Sequence, residues 1–174
     1  KRSFADQSYR LHEQHLEEQT RRGDDPLRRL VELESINGWR HERMYRLLNP
    51  LLAWGGRWLT VGDGIGTDAH WLIRQGAPVV ASDIGDALLK LAHKRGFVRE
   101  FGRENAEKIE LPDKSFDFAL CKEAYHHFPR PYLALYEMAR VAGKAVVLIE
   151  PQDPLQKSPV LLFFKNLLDR INPA

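Results

Sequence analysis

The sequence has 174 residues, of which 43% are hydrophobic and 29% charged, and its formal net charge is +2 at pH 7. This length suits one α/β domain and argues against a second, and the near balance of charges argues against a nucleic-acid partner. The single cysteine, Cys121, cannot form an internal disulfide, and no apolar stretch approaches the ~18 residues of a membrane span, so we expect a cytoplasmic protein without a membrane partner.

Residues 1–56 are predicted to form a helical region that packs near the ligand edge of a sheet. Asp25-Pro26 supplies a helix cap followed by proline at the first helical position. Asn37-Gly38 is predicted to interrupt the helix that starts there. Asn49-Pro50 is predicted to end the helical region before the first strand.

From Arg57 onward, strand-like and helix-like patterns alternate along the chain. The predicted strands are Trp58–Val61, Pro78–Ser82, Val98–Phe101, Phe116–Cys121 and Lys144–Ile149. Helical periodicity between these runs predicts a doubly wound α/β fold, with a mainly parallel sheet that contains these five strands and helices on both faces. The whole chain is interpreted as one domain with a core at residues 57–151 and a C-terminal helix at residues 152–174.

Three glycines follow the first predicted strand with G-x-G-x-G spacing, at Gly62, Gly64 and Gly66. Glycine permits a positive φ and lets a ligand lie against bare backbone. A dinucleotide fingerprint needs G-x-G-x-x-G, so that a pyrophosphate rests on the helix N-terminus, and the spacing here therefore favours a ligand without phosphates. Asp83, which closes the second strand, is predicted to accept both hydroxyls of a ribose. The alternative is an ordinary turn, with Asp83 capping the next helix.

Three further blocks follow the glycine turn in order. They are Asn105-Ala106-Glu107 with Leu111-Pro112 and Ser115-Phe116-Asp117, then Glu123–Phe128, then Glu137–Val141. Together with the glycine turn, these blocks resemble the class I S-adenosylmethionine-dependent methyltransferases that act on small molecules, over about residues 57 to 151. The resemblance implies a Rossmann-like sheet of five to seven strands, with S-adenosylmethionine held along its carboxyl edge.

The resemblance also implies which residues bind this cofactor. The glycine turn would lie under its methionine part, Asp83 at its ribose and Asn105 and Ala106 at its adenine. The full set is Gly62, Asp63, Gly64, Gly66, Asp83, Ile84, Asn105, Ala106 and Lys122. The family commonly has an acid where this sequence has Thr60, and Asp63 or Asp68 is the predicted substitute. The family also continues past the fifth strand with an antiparallel pair, so these strands are either missing from the sequence given or the sheet has five.

His126 and His127 follow the fourth predicted strand and are the candidate catalytic residues. A neutral imidazole can take the proton from a hydroxyl acceptor as the methyl group is transferred. His127 is slightly preferred, because Phe128 is expected to turn inward. The alternative is that one ring packs or caps and neither contacts the substrate.

The sequence thus predicts an S-adenosylmethionine-dependent methyltransferase whose acceptor is a small molecule or a saccharide, methylated at a hydroxyl. One alternative is a nicotinamide-dependent oxidoreductase, against which the glycine spacing argues. Another is a binding module that keeps the cofactor fold without catalysis. No metal is expected, since no Cys/His cluster has the spacing of a zinc site. The identity of the acceptor and the oligomeric state are not predicted.

Overall fold

The elements below come from a computed structural model that describes residues 36–151 and the isolated positions 7, 10, 11, 27, 159, 160 and 163. In chain order they are α1 Ile36–Tyr45, a 3-10 turn Arg46–Leu48, α2 Asn49–Leu52, β1 Trp58–Val61, α3 Thr67–Arg74, β2 Val79–Asp83, α4 Ala87–Lys94, β3 Glu100–Arg103, β4 Phe116–Lys122, a 3-10 turn Tyr125–His127, α5 Pro131–Val141 and β5 Ala142–Ile149. The predicted helix start at Asp25-Pro26 and most of the predicted C-terminal helix lie outside the described residues.

The five strands form one sheet in the order β3-β2-β1-β4-β5, and every neighbouring pair is parallel. The chain enters at the central strand, moves outward to β3, and then crosses to β4 on the other side. The strand order therefore reverses between β1 and β4, which is where sheets of this kind bind ligands at their carboxyl edge. The predicted doubly wound α/β architecture is confirmed, with five strands in the described part of the chain.

Alternate residues of β1 face two separate apolar layers. Trp58 packs on the side of α3 and α4, where its ring centroid lies 4.4 Å from that of Phe118. Leu59 packs on the opposite side, against Met138 and Val141 of α5. All four residues of β1 are buried, as expected for a strand covered on both faces. Burying side chains of this size stabilises the fold by about 1.5–3 kcal/mol each.

Two predictions about the N-terminal region are wrong. Asn37-Gly38 does not interrupt a helix but lies within α1, and Asn49-Pro50 begins α2 instead of ending the helical region. The first turn of a helix tolerates proline, because its amide would have no partner there. The weak helix propensity of Asn and Gly is overridden by packing, since Tyr45 at the end of α1 stacks on Trp71 of α3 at 4.9 Å.

The third strand lies two residues later than predicted. It was expected at Val98–Phe101 and is observed at Glu100–Arg103. Val98 is buried, which explains why it resembles a strand residue, but it lies in the loop before β3 and packs against the glycine turn. No helix in the described part of the chain combines the length and apolar character needed to cross a membrane.

Candidate functional site

The turn after β1 carries three glycines with positive φ. The φ angles of Gly62, Gly64 and Gly66 are +73°, +55° and +82°, a region in which other residues are strained. A Cβ atom on Gly62 would lie 2.8 Å from Ala124 Cβ, and one on Gly66 would lie 2.5 Å from Val98 Cγ2. At Gly64 a Cβ atom would meet nothing within 4 Å. The outer glycines therefore allow close packing, and the middle one leaves the backbone of the turn open.

Asp83, at the carboxyl end of β2, is bound directly to this turn. Its Oδ2 accepts the amide of Gly64 at 2.9 Å, and its Oδ1 accepts the amide of Gly85 at 3.0 Å. Ile84 is half-buried beside Asp83, and its carbonyl accepts a bond from Arg103 Nε at 2.8 Å. The acid predicted for a ribose thus lies next to the open glycine.

Asp63, in the middle of the glycine turn, directs its carboxylate into the protein. It accepts the Thr60 hydroxyl at 2.8 Å and the amides of Asp68 and Ala69 at 2.9 Å each, so it binds the first turn of α3. Burial, together with the charge of Asp68, raises the pKa of Asp63 well above its ordinary value. The carboxylate of Asp63, bonded to the hydroxyl of Thr60, therefore stabilises the glycine turn from inside the protein. Only the backbone of Asp63 forms part of the turn itself.

Lys122, at the end of β4, is the centre of a buried ionic cluster. Its Nζ lies 3.0 Å from Glu123 Oε2, 3.3 Å from His41 Nδ1 and 3.4 Å from Asp68 Oδ1. The Tyr45 hydroxyl donates to the same Asp68 oxygen at 2.5 Å. The cluster joins α1, α3 and β4 behind the glycine turn, and we use the name Lys122 cluster for these five residues. No feature of the sequence distinguishes His41 from the other scattered histidines.

Opposite charges in the Lys122 cluster compensate for burial. Burial by itself would lower the pKa of Lys122, but Asp68 and Glu123 hold it above its ordinary value. Burial raises the pKa of Asp68, and the Lys122 ammonium opposes that effect. For Glu123, burial is outweighed by Lys122 and by Arg40, whose Nη1 lies 2.9 Å from Glu123 Oε1, and its pKa is lowered. Lys122 was predicted to bind the cofactor, but its ammonium is surrounded by the protein's own carboxylates.

The segment predicted to contact adenine follows β3, beside the end of β2. Asn105 Oδ1 accepts the amide of Glu107 at 2.9 Å, and Ala106 between them is buried. The Glu107 side chain is 1% exposed and accepts both the amide and Nε of Arg130 at 2.6 Å. The Glu107–Arg130 pair connects this segment to the start of α5 and so fixes the backbone around Asn105 and Ala106.

The last sequence block, with Glu137 and Arg140, has a structural role in this fold. Arg140 donates to the carbonyls of Ile109 and Leu111 and to the carboxylates of Glu137 and Asp113, at 2.7 to 3.0 Å. Glu137 also accepts the amide of Ile109 at 2.9 Å. One arginine on α5 thus holds residues 109–113 of the loop between β3 and β4.

The two histidines lie in the 3-10 turn after β4, with their ring centroids 4.0 Å apart and both side chains exposed. Nδ1 of His126 lies 2.5 Å from Glu150 Oε2, and Glu150 Oε1 accepts the amide of Tyr125 at 3.1 Å. Glu150 follows β5 directly and was considered at the sequence level as either a cleft acid or a cap. The structure shows that it contacts both the turn and the ring of His126.

A cavity of about 660 Å³ is lined mainly by residues near the amino ends of β1, β3 and β4 and by the loop that follows β3, including Glu104 beside Asn105. Its lining includes Arg57 before β1, Phe101 at the start of β3 and Phe116 at the start of β4, and none of the predicted site residues. Within the described residues, no group of three or more His, Cys, Asp or Glu side chains is arranged to hold a metal ion. The polar chemistry of the carboxyl edge therefore marks the candidate site.

Comparison with known proteins identifies relatives of this chain. A family model for a methyltransferase domain matches residues 59–149. The chain is 36% identical over 93 residues to a ubiquinone biosynthesis O-methyltransferase of Hahella chejuensis, a match covering 51% of this chain and 39% of that protein. It is 30% identical over 161 residues to a demethylmenaquinone methyltransferase of Deinococcus radiodurans, covering 84% and 64%.

The structure of the YcgJ protein from Bacillus subtilis is also similar, with 30% sequence identity and a TM-score of 0.50. That match covers 67% of this chain and 52% of the other. The chain spans about half the length of the curated relatives it matches. The region matched by the family model, residues 59–149, contains the sheet from the second residue of β1 onward, the glycine turn and the histidine pair.

Proposed function

This chain belongs to the class I S-adenosylmethionine-dependent methyltransferases, and we propose that it transfers a methyl group from S-adenosylmethionine to a small-molecule acceptor. The observation that carries the proposal is the hydrogen bond between Gly64 and Asp83, which sets an open backbone turn beside a carboxylate at the carboxyl edge of the sheet. The nicotinamide-dependent alternative has no support in the family match.

The cradle, by which we mean the glycine turn at Gly62–Gly66 together with Asp83, fits an adenosine ligand that carries no phosphate. The backbone at Gly64 has room for a ligand to lie against it, and Asp83 offers acceptors for two ribose hydroxyls. Asn105 and Ala106 would contact the adenine, with Ile84 beside the ribose. The contact proposed at Lys122 would come from its backbone, because its ammonium is held by the Lys122 cluster. When bound, S-adenosylmethionine supplies an electrophilic methyl group attached to a positively charged sulfur.

The residues on the acceptor side support a hydroxyl acceptor. His126 and His127 lie next to the glycine turn, since Ala124 and Phe128 on either side of them pack against Gly62. A neutral imidazole there can take the proton of a hydroxyl, which contributes about 10²–10⁴ in rate. The name of the Hahella relative specifies O-methylation, which favours oxygen as the atom methylated. Both a phenol and a saccharide hydroxyl fall within the proposal.

Calorimetric titration with S-adenosylhomocysteine tests the cofactor site. Asp83→Asn keeps an acceptor oxygen for one of the two backbone amides but removes the charge, and we expect binding to weaken about ten- to hundredfold, as for hydrogen bonds to a charged group. Asp86→Asn is the matched control, because Asp86 lies in the same loop but pairs with Lys90. Absence of binding to the wild-type protein, or equal affinity of the two variants, would contradict the proposal.

Transfer of a radiolabelled methyl group tests the reaction. The acceptor panel consists of a catechol, a long-chain fatty acid and a monosaccharide, each with S-adenosylmethionine as donor. We expect label in an ether or ester of one of them. Quenching of intrinsic fluorescence by NADH but not by S-adenosylhomocysteine would instead revive the oxidoreductase. Cofactor binding without transfer to any acceptor would favour the non-catalytic module.

A further inference from the structure

The ends of β4 and β5 bring Glu150 against the turn that carries the two histidines. The two strands pair in register up to Lys122 and Ile149, so they end together at the carboxyl edge. The amide of Glu123 donates to the Ile149 carbonyl at 2.7 Å, which continues the pairing by one step. Because the two strands end side by side, the segments that follow them are neighbours. Glu150 thus lies beside His126, although the two residues are 24 positions apart in sequence.

Glu150 holds this turn at two points. One carboxylate oxygen accepts the amide of Tyr125, the first residue of the 3-10 turn, and the other contacts Nδ1 of His126. The Glu150 side chain is 29% exposed and that of His126 is 46% exposed. A side chain held by one bond could rotate away, but the second bond to backbone keeps this carboxylate aimed at the ring. The imidazole is thus oriented by a group that is itself fixed.

From this geometry we propose that Glu150 is a positioning residue for His126 and that His126 takes the proton of the acceptor. An ionised carboxylate only accepts hydrogen bonds, so Nδ1 of the ring must carry a proton and donate it. In the neutral ring the lone pair is then on Nε2, the nitrogen turned away from Glu150. This inference rests on the methyl transfer proposed above, and it assigns the base role to His126 instead of the slightly preferred His127.

The location of the pair suits an acceptor. The cradle for the cofactor uses the ends of β1 and β2, whereas His126 and Glu150 follow β4 and β5, on the other side of the point where the strand order reverses. In the transfer, the acceptor oxygen forms a bond to the methyl carbon as the carbon–sulfur bond breaks and its electron pair returns to sulfur. The hydroxyl proton passes to Nε2 of His126 and leaves from there to solvent, which the exposed ring contacts.

Nitrogen-15 NMR of histidine-labelled protein saturated with S-adenosylhomocysteine tests this assignment without any acceptor. We expect His126 of the wild type, when neutral, to be mainly the Nδ1–H tautomer, and Glu150→Gln to shift the ring toward the Nε2–H tautomer. Gln still accepts the amide of Tyr125, so the turn is retained. His70 and His93 are internal references, because the Nδ1 atom of each lies 3.0 Å from a backbone carbonyl and should keep its proton in both proteins.

Kinetics with an acceptor from the panel provide the second measurement. We expect Glu150→Gln to lower kcat about 10- to 100-fold, as for a general base that loses its orientation, while the KM for S-adenosylmethionine stays within about twofold. His126→Gln should lower kcat at least as much, and adding Glu150→Gln to it should have little further effect. A purely structural role for Glu150 would instead lower kcat in the His126→Gln background as well.

The outcomes separate this inference from the proposed function. If the wild type fails to bind S-adenosylhomocysteine, the proposed function is lost, whatever the tautomer of His126. If binding is intact but neutral His126 is mainly the Nε2–H tautomer, the positioning role of Glu150 is wrong. The same conclusion follows if Glu150→Gln leaves both the tautomer and kcat unchanged. If the Glu150→Gln protein binds S-adenosylhomocysteine with wild-type affinity and shows the shifted tautomer of His126, the positioning role of Glu150 is supported.

Discussion

Lys122 and Asp68 form an ion pair inside the protein, with Nζ 3.4 Å from Oδ1 and both side chains only 4% exposed. The pair links the end of β4 to the first turn of α3, directly behind the glycine turn. Taking two charges out of water costs nearly as much as their attraction returns, so such a pair adds little net stability. Removing one partner is different, because it leaves the other charge buried alone.

Lys122→Met should therefore lower the free energy of unfolding by about 3–5 kcal/mol, the usual cost of an unpaired buried charge. Urea denaturation measures the change. Adding Asp68→Asn should recover a substantial part of it, because the orphaned carboxylate is then gone. Lys144→Met is the matched control, since Lys144 pairs with Asp117 at the surface, and we expect a change within about 1 kcal/mol. Equal losses for the two lysine variants would contradict the burial of this pair.

Tyr45→Phe tests the contact between α1 and the Lys122 cluster. The substitution removes the hydroxyl that donates to Asp68 but keeps the ring stacked on Trp71. We expect the free energy of unfolding in urea to fall by about 1.5–3 kcal/mol, as for a hydrogen bond to a charged group. Tyr136→Phe, on the exposed face of α5, should leave stability unchanged. A loss no greater than that of the control would mean that α1 does not dock on this cluster.

Gly64→Ala should impair cofactor binding more than it impairs folding. Gly64 and Gly76 both have positive φ, +55° and +81°, and at neither would a Cβ atom meet anything within 4 Å. Both alanine variants should therefore lose about 1–2 kcal/mol of stability from backbone strain. Gly76 ends α3 away from the site, so only Gly64→Ala should weaken S-adenosylhomocysteine binding, by about tenfold or more. Calorimetric titration of both variants with S-adenosylhomocysteine measures this difference. Equal affinities of the two variants would mean that the ligand does not lie against Gly64.

Glu137 gives the stability of the protein a pH dependence. Hydrogen bonds from Arg140, and then from the Ile109 amide, lower the pKa of Glu137 below its ordinary value of 4.5. A carboxyl whose pKa is lowered by folding contributes stability above its unfolded pKa, and that contribution is lost as pH falls through the lowered folded value. As pH falls, the free energy of unfolding should therefore decrease less steeply for Glu137→Gln than for the wild type. Urea denaturation at a series of pH values measures this difference.

The control for this measurement is Glu110→Gln, which removes one negative charge from a side chain that is 76% exposed. If Glu137→Gln loses stability on acidification as steeply as the wild type does, the Arg140 contacts do not stabilise the ionised form of Glu137. In that case the bonds from Arg140 to Asp113 and to the carbonyls of Ile109 and Leu111 would hold this part of the loop without a contribution from the charge of Glu137.

Several features of the site were predicted correctly from the sequence. The positions of β1, β2, β4 and β5 followed from short apolar runs, and the need for glycine at Gly62, Gly64 and Gly66 followed from their spacing. The place of Asp83 beside the turn followed from the rule that parallel strands end at one edge. All these inferences depend on neighbouring residues or on a general property of parallel sheets.

Other predictions depended on local signals that packing overrides. The Asn and Gly residues in α1 suggested a break, yet the stacking of Tyr45 on Trp71 of α3 maintains a helix there. The proline in α2 also suggested a break, but it lies in the first turn, where proline is tolerated. Val98 resembled a strand residue because it is buried, although its burial comes from the glycine turn. Boundaries set by contact with distant residues cannot be read from the residues on either side.

The sequence alone determined which segments form β1, β2, β4 and β5, the glycine turn, and the acid at the end of β2, because short apolar runs and residue spacing encode each of these. Only the tertiary structure decided where the remaining charges point: Asp63 into α3, Lys122 toward Asp68 and Glu123, and Glu150 toward His126. These contacts join residues that become neighbours only through the order and register of the strands. Residue spacing along the chain therefore contains no record of them.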